Sequence, residues 1–265
     1  MIGRKQLSEA LYLSCVENYF LAWMAQKYPV ERLYAQSFVG MRRVFADFSA
    51  NAKYDDYSAV PRIQDTAERT GIVSHAFYGD CSVSDAETLV REQKDNELCI
   101  VRVNRIFQEL YKRIPWREDH FLCIGRDFRW INQYPLSEGQ FSADQFARFF
   151  GNAVIVYRAE DLSLVPHDEN TPRIAGQMDF TFSVPSAMRA VEDAVGILRI
   201  TRRRLEKFYQ GNAAEFVLKE EVRMLDQLFL RIGLERIRGM TDTQKLYSEF
   251  VQIAALEKKL KETIA

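Results

Sequence analysis

A change of pattern near residue 184 constrains the fold of this chain more than any other feature. Before it, segments with helical spacing alternate with strand-like runs, and after it every segment has helical spacing. The helical stretches lie at residues 186–210, 213–233 and 242–264. Gly211 and Gly239 are the expected helix ends. The sequence therefore predicts an α+β region followed by an all-helical C-terminal part.

Turn-forming residues mark the connection between the two parts. Pro, Asp, Asn and Gly residues are concentrated between residues 166 and 176. We expect a first domain at residues 1–160, a connection at residues 161–183 and a helical domain or extension at residues 184–265.

Composition excludes several classes of protein. The net charge is −1, with 47% hydrophobic and 28% charged residues, which favours a folded protein that binds neither nucleic acid nor membranes. No apolar run is long enough to span a bilayer, and the N-terminus lacks the apolar core of a secretory signal. The four cysteines form no Cys-x-x-Cys pair, so we expect neither a disulfide framework nor a metal site. A cytoplasmic protein without a tightly bound cofactor is the resulting expectation, since no Gly-rich phosphate loop is present.

Cys15, His120 and Asn132 have the chemistry and the chain order of a papain-like cysteine enzyme. A nucleophilic thiol needs a base that takes its proton, and the base needs a partner that orients it. The trio alone leaves three readings open: an enzyme that cuts peptides, an enzyme that moves acyl groups, and a relative that has lost its chemistry and acts as a binding module.

The residue at which the first helix begins determines whether the helix N-terminus favours a thiolate at Cys15. A helix over residues 14–27 with Ser14 as its N-cap would put Cys15 at the first helical position, where unpaired amides and the helix dipole favour a thiolate. A helix that begins near Ser8 would instead place Cys15 in its middle and remove that help.

A hairpin is expected to bring His120 and Asn132 together. A buried strand at residues 97–104 precedes two apolar runs that flank residues 125–127. A three-residue loop centred on Arg126 would place His120 directly opposite Asn132, with their Cβ atoms about 5 Å apart. A two-residue loop would turn the two side chains to opposite faces.

The same segments resemble the central block of the butirosin biosynthesis protein H-like family. The resemblance is carried by Glu97-Leu98-Cys99-Ile100-Val101-Arg102-Val103, by Asp119-His120-Phe121-Leu122-Cys123-Ile124-Gly125 and by Trp130-Ile131-Asn132. The first helix is similar too, with Cys15 followed closely by Asn18, and so in kind is the helical C-terminal part. These motifs cover about forty residues; the family is papain-like and distantly similar to bacteriocin-processing cysteine peptidases.

This resemblance implies a papain-like core, an N-terminal helix with an antiparallel sheet, that acts as an acyltransferase of natural-product biosynthesis. The acyl donor would be the phosphopantetheine thioester of an acyl carrier protein, and the acceptor an amine of a small molecule. Cys15 would hold the acyl group, His120 would act as base and then acid, and Asn132 would orient the imidazole.

The sequence departs from papain-like peptidases at the oxyanion donor. Those enzymes usually have Gln six residues before the cysteine, where this chain has Glu9, and the nearby Gln6 is nine residues before it. Since a carboxylate does not donate, another group is needed. The nearby residues Asn18, Gln133 and Tyr19 are therefore expected to line the site, with Gln133 also a rival to Asn132, and Trp23 and Phe107 are further candidates for the pocket. The departure argues against a cysteine hydrolase more than against a transferase.

Two features of the helical part suggest partners. Arg199, Arg202 and Arg203 form a basic cluster that would suit the acidic surface of a carrier protein, although a solvated helix face explains it as well. The helix over residues 242–264 carries apolar positions that suit packing within the chain or against a second copy in a homodimer.

Overall fold

The computed structural model describes residues 2, 7, 13–54, 57, 60, 62–110, 120–160, 174, 182–239 and 242–264. The chain forms two compact units, Met1–Pro29 with Gln64–Val165 and Val30–Ile63 with Pro166–Ala265. The segment Val30–Ile63, which the sequence pattern places in the first domain, thus groups with the helical part. Most of the expected connection at residues 161–183 lies outside the described residues.

The first unit, here called the sheet unit, is built on one antiparallel sheet. Its strands are β1 (Val73–Gly79), β2 (Glu97–Val103), β3 (His120–Ile124), β4 (Arg129–Asn132), β5 (Ser137–Gln140) and β6 (Phe150–Ala159). They lie in the order β1-β6-β2-β3-β4-β5. Its helices are α1 (Cys15–Met24), α3 (Ile63–Arg69, of which Ile63 falls in the second unit), α4 (Val83–Arg91), α5 (Arg105–Glu109) and α6 (Ala143–Phe149). The predicted strand at residues 97–104 is confirmed as β2.

One face of this sheet carries the main core of the unit. Side chains from β2, β3 and β6 that alternate towards this face meet a group of phenylalanines from α5, α6 and the adjoining turns. The members of this core include Val101, Leu122, Ile124, Val154, Phe107, Phe128, Phe141 and Phe146. His120 begins β3 on the same face as Leu122, because the two are separated by two residues.

Helix α1 covers the opposite face. Its Phe20 ring lies 5.1 Å from the ring of Tyr157, and Tyr157 pairs with Leu98 in the ladder of β2 and β6. Trp23 and Cys123 line one cavity of about 420 Å³ near the C-terminal end of the helix. The helix ends at Met24, three residues before the predicted Lys27, and a turn follows it.

The second unit, here called the helical unit, contains a 3₁₀ helix (Val30–Ser37) and the α-helices α2 (Met41–Ser49), α7 (Met188–Phe208), α8 (Ala213–Arg238) and α9 (Thr243–Ile264). The α+β class and the helical C-terminal part are therefore confirmed. Gly239 caps α8 with φ 66°, a conformation that glycine adopts without steric cost. Among the described helices, none has the length and hydropathy needed to cross a membrane.

Candidate active site

Cys15 is the first residue of α1, as the capping argument predicts. Ser14 has extended backbone angles, φ −146° and ψ 163°, and its hydroxyl accepts a hydrogen bond from the Glu17 amide at 3.2 Å. The Glu17 carboxylate in turn accepts the Leu13 amide at 2.6 Å. These two bonds begin the helix at Cys15. Residues 8–12, which the longer alternative helix needs, lie outside the described residues.

The loop between β3 and β4 has three residues, as predicted, but it lies one residue later in the chain than predicted. The Gly125 amide bonds the Arg129 carbonyl at 2.8 Å, so that residues 126–128 form the loop. Phe128 ends it with φ 58°, as expected for a three-residue hairpin loop. The predicted centre at Arg126 is therefore wrong by one residue, because the Phe128 backbone belongs to the turn.

Because the loop lies one residue later, the pairing of β3 with β4 differs from the prediction by two residues. His120 and Asn132 therefore still have their side chains on the same face of the sheet. Cys123 pairs with Ile131 and Ile124 with Trp130, so continuing the register sets Leu122 opposite Asn132. His120 is thus a diagonal neighbour of Asn132, not its direct partner as predicted. The contact forms nonetheless, with His120 Nε2 3.0 Å from Asn132 Oδ1.

The partners of Asn132 fix the protonation of the His120 ring. Asn132 Oδ1 also accepts the amide of Tyr134 at 3.3 Å, and this bond identifies the oxygen of the side-chain amide. Nε2 must therefore donate, which makes Nδ1 the unprotonated nitrogen of the neutral ring. Burial lowers the pKa of His120 to about 4, and the bond to Asn132 opposes this only in part. At neutral pH the imidazole is uncharged and able to accept a proton.

Tyr19 occupies a gap in the ladder between β3 and β4. Hydrogen-bonded pairs alternate along an antiparallel ladder, so after Gly125 with Arg129 and Cys123 with Ile131 the next such pair would be Phe121 with Gln133. There the Tyr19 hydroxyl accepts the Gln133 amide at 3.0 Å and donates to the Phe121 carbonyl at 3.1 Å. Both functions of this hydroxyl are engaged by backbone groups, so Tyr19 is not an oxyanion donor.

The Cys15 thiol lies at the same gap. The amide of Phe121, which points towards β4 in the plane of the sheet, is close enough to Cys15 to favour its thiolate. His120, which begins β3 on the face of Leu122, opposite to the face that α1 covers, bonds Asn132 on β4 across the same ladder. Cys15 is partly exposed as a residue while its sulfur is enclosed. That burial raises the pKa of Cys15, and the amides of Phe121, Val16 and Cys15 itself oppose the rise.

Three neutral amide side chains, on α1 and at the end of β4, each have one polar atom without a hydrogen-bond partner among the described residues. Asn18 and Asn132 are 3% and 0% exposed, and in the part of the chain that the structure describes neither Nδ2 atom has a hydrogen-bond partner. Asn18 follows Cys15 by three residues and so lies on the same side of α1. Gln133 Oε1 is unpartnered within the same described residues, so this oxygen does not hold the imidazole. Asn132 is the residue that orients His120.

Phe107 does not share a pocket with Tyr19 and Trp23. It is 1% exposed and contacts the rings of Trp130, Phe141 and Phe149 in the core on the other face of the sheet. Phe107 is therefore a core residue, while Trp23 lines the cavity at the far end of α1.

The expected docking cluster on α7 is not an exposed basic surface. Arg202 is 0% exposed, and its guanidinium bonds Glu221 at 2.8 Å, Glu257, and the Val39 carbonyl at 2.9 Å. Arg199 and Arg203 are partly buried, and both bind Asp226. The expectation fails for Arg202 because the acidic residues that neutralise it are distant in sequence and adjacent in the folded unit.

Among the described residues, the other cysteines and histidines form no cluster that could hold a metal ion. Cys99 and Cys123 are buried, and burial raises the pKa of both thiols, to about 12 for Cys123. His75 lies 2.8 Å from Glu68 on the surface of the sheet unit, whereas His167 lies outside the described residues. In the ranges that the structure describes, no group of three His, Cys, Asp or Glu residues is placed to hold a metal ion.

Sequence analysis missed two features, the Tyr19 hydroxyl as a bridge between β3 and β4 and the position of the Phe121 amide beside Cys15. The spacing of Cys15 and Tyr19, one helical turn apart, was the signal that could have joined them.

No protein-family model matches the chain, and no curated protein matches it. The chemistry of the site therefore depends on the geometry described above.

Proposed function

We propose that this protein is a cysteine-dependent acyltransferase in which Cys15 carries the acyl group. The observation that carries the proposal is the bond from His120 to Asn132, because it leaves Nδ1 as an unprotonated base on β3, the strand whose Phe121 lies beside Cys15. A papain-like organisation is part of the same proposal: a helix that begins at the thiol, and an antiparallel sheet that supplies the histidine and the asparagine.

In the first half-reaction, the Cys15 sulfur attacks the carbonyl carbon of an acyl thioester while His120 Nδ1 accepts the thiol proton. The bond from this carbon to the donor sulfur then breaks, and His120 returns the proton to the departing thiol. The products are acyl-Cys15 and a free donor thiol. Because burial keeps Cys15 and His120 neutral, the proton moves during the attack and not before it.

In the second half-reaction, an amine attacks the acyl-Cys15 carbonyl and gives up a proton to His120. The bond to the Cys15 sulfur breaks, and the sulfur recovers a proton from His120. An amide leaves, and the thiol is restored. Transfer in two steps replaces one difficult displacement by two easier ones.

Each half-reaction passes through an oxyanion that requires hydrogen-bond donors. Asn18 Nδ2 is a buried donor that has no partner among the described residues, and it lies one turn after the nucleophile. The first amides of α1 add the positive end of a helix dipole. We assign Asn18 and these amides to the oxyanion, in place of the glutamine that papain-like peptidases use.

For the donor we propose the phosphopantetheine thioester of an acyl carrier protein, and for the acceptor an amine of a small metabolite. Both follow from the resemblance to the butirosin biosynthesis protein H-like family. Arg202 is buried, so it takes no part in binding the carrier.

Acyl loading tests the proposal directly. S-butanoyl pantetheine is incubated with the protein, and intact mass is followed before and after addition of 2-aminoethanol. We expect one butanoyl group on the wild type, its discharge to the amide when the amine is added, and no loading of Cys15→Ala. Cys81→Ala is the matched control, since Cys81 is also a free, partly exposed cysteine of the sheet unit.

Two outcomes contradict the proposal. Loading that persists in Cys15→Ala would exclude Cys15 as the nucleophile. Release of free butanoate at the same rate with and without the amine would identify a hydrolase.

A further inference from the structure

We propose that the cavity at the C-terminal end of α1 is a binding site for a small organic anion that carries an apolar ring. The cavity has a volume of about 420 Å³, which is typical of small-molecule sites. It lies within the sheet unit, between the end of α1, the turn before β2 and the loop that joins β3 to β4. Helix α1 has ten residues and is about 15 Å long, with Cys15 at its other end. The inference is therefore independent of the proposed acyl transfer.

The buried part of the cavity wall is largely apolar. It includes Trp23 of α1, Leu98 of β2 and Ile124 of β3, which are 7%, 3% and 1% exposed. The indole of Trp23 packs against the ring of Phe20, with the ring centroids 5.9 Å apart, so its position is fixed by the core of the unit. An apolar ring of a ligand would lose contact with water against this wall.

Two carboxylates of the exposed part of the wall are already paired with arginines. Asp95 pairs with Arg126 across the mouth of the cavity, and both residues belong to the wall. Asp127 lies 2.7 Å from Arg129, its partner in the next strand. These two acids therefore present no unbalanced negative charge to a ligand.

The carboxylate of Glu97 is also fully engaged. Nε and Nη2 of Arg158 both donate to its Oε1, at 2.9 and 2.8 Å. The backbone amide of Lys94 donates to its Oε2 at 2.8 Å. Each carboxylate among the described residues of the wall thus has an arginine as its partner.

Two ammonium groups of the wall remain, those of Lys27 and Lys94. Neither forms an ion pair within the described part of the chain, and Lys27 Nζ donates only to the backbone carbonyl of Asp95, at 3.3 Å. Because the acids are matched by arginines, these lysines give the cavity a net positive charge. Both can donate charge-assisted hydrogen bonds to an anionic group at the mouth while the apolar ring lies inside.

Isothermal titration calorimetry of the full-length protein with 1-naphthoate tests the proposal. The matched compound is 1-naphthamide, which has the same fused rings and no charge. We expect 1-naphthoate to bind at one site, about tenfold more tightly than 1-naphthamide, as for hydrogen bonds to a charged group. Absence of 1-naphthoate binding, or equal affinity of the two compounds, would overturn the proposal.

Variants of the two lysines test their part in binding. Lys27 and Lys94 are exposed, so Lys27→Gln and Lys94→Gln should fold as the wild type does. Each should weaken 1-naphthoate about tenfold and leave 1-naphthamide unchanged. Lys219→Gln is the control, since Lys219 is an exposed lysine of the helical unit that pairs with Glu215. Wild-type affinity in both cavity variants, or an equal loss in the control, would contradict the assignment.

The indole N–H resonances of tryptophan locate the bound compound. Trp23 lines the cavity, whereas Trp130 contacts Phe107 and Phe141 in the core on the other face of the sheet. In an NMR titration, 1-naphthoate should shift the Trp23 resonance and leave that of Trp130 in place. An unmoved Trp23 resonance, or an equal shift at Trp130, would show that the compound binds elsewhere and would reject the site.

Discussion

In the helical unit Arg202 is fully buried and charged, whereas in the sheet unit His120 is buried and neutral. Burial acts to lower the pKa of Arg202, but the carboxylates of Glu257 and Glu221 raise it above its ordinary value. Burial likewise lowers the pKa of His120, to about 4, and its partner Asn132 is an uncharged amide that opposes this only in part. Two causes separate the two groups: the guanidinium is intrinsically the stronger base, with an ordinary pKa of 12.5 against 6.5, and its partners are carboxylates where that of His120 is an amide.

The contrast separates a group that holds helices together from a group that we propose as a proton acceptor. Arg202 joins α7 to α8 and α9 through its two carboxylates. Burial and the neighbouring Glu257 carboxylate raise the pKa of Glu221, so this buried carboxyl holds its proton more tightly than an exposed glutamate does. His120 with Asn132 and Cys15 carries no ion in its resting state, which suits a site where a proton passes between neutral groups.

Removal of the Arg202 guanidinium is expected to have the largest effect on the free energy of unfolding. Arg202→Met leaves Glu221 and Glu257 buried without a cation, and the free energy of unfolding should fall by about 3–5 kcal/mol. Urea denaturation followed by circular dichroism measures it. Arg223→Met is the control, because Arg223 is exposed and pairs with Glu220 on the surface. Equal losses in the two variants would show that the buried cluster contributes no more than a surface pair.

A carboxylate introduced beside His120 would give this buried base the kind of partner that Arg202 has in the helical unit. In Asn132→Asp, the new carboxylate accepts the same Nε2 proton and stabilises the imidazolium, so the pKa of His120 should rise by about 1–3 units. NMR titration of the imidazole measures the change. His75, paired with Glu68, is the internal control and should titrate as in the wild type. A pKa of His120 that stays about 4 would mean that Asn132 does not control the ring.

Opposite responses to pH are expected from the two units. The pKa of His120 lies at about 4, below its ordinary 6.5, so the unfolded chain takes up a proton first and stability falls as pH drops from 6.5 towards 4. The pKa of Glu221 lies at about 8, above its ordinary 4.5. The unfolded chain releases this proton first, and stability falls as pH rises from 4.5 towards 8.

Single variants separate the two responses. Thermal unfolding across this pH range should lose its acid-side decline in His120→Asn and its decline towards pH 8 in Glu221→Gln. A wild-type profile in either variant would assign that response to other groups.

Removal of a helix cap is expected to have the smallest effect on stability. Ser14→Ala removes the cap of α1 and Asn212→Ala the cap of α8, where Asn212 accepts the Ala214 amide at 3.2 Å. Each should cost about 1 kcal/mol of stability by urea denaturation. Ser14→Ala should in addition slow acyl loading, since Ser14 fixes the start of the helix at Cys15. If the two variants loaded the acyl group at equal rates, the Ser14 cap would have no special role in the reaction of Cys15.

The features that sequence predicted well depend on nearby residues. Ser14 and Glu17 specify the start of α1 within a few positions of Cys15, and Gly239 specifies the end of α8. The helical character of residues 186–264 follows from spacing alone.

The features that sequence missed depend on residues distant in the chain. Phe128 was taken for the first residue of a strand, yet its backbone closes the turn and its ring meets Phe146 in the core. Arg202 lies 19 and 55 residues before the carboxylates that bury it. No local pattern specifies such partners, which is why a buried cluster resembled an exposed basic helix face.

The bridge at Tyr19 also determines when the site is assembled during synthesis. Tyr19 bonds the Phe121 carbonyl and the Gln133 amide across 102 and 114 residues. Translation proceeds from the N-terminus, so α1 leaves the ribosome long before either partner exists. Closing a loop of this length costs entropy that only the finished sheet repays. In the nascent chain, the surroundings of Cys15 are therefore incomplete until β3 and β4 have been made. The cysteine at the start of the chain depends for its environment on strands that are synthesised long after it.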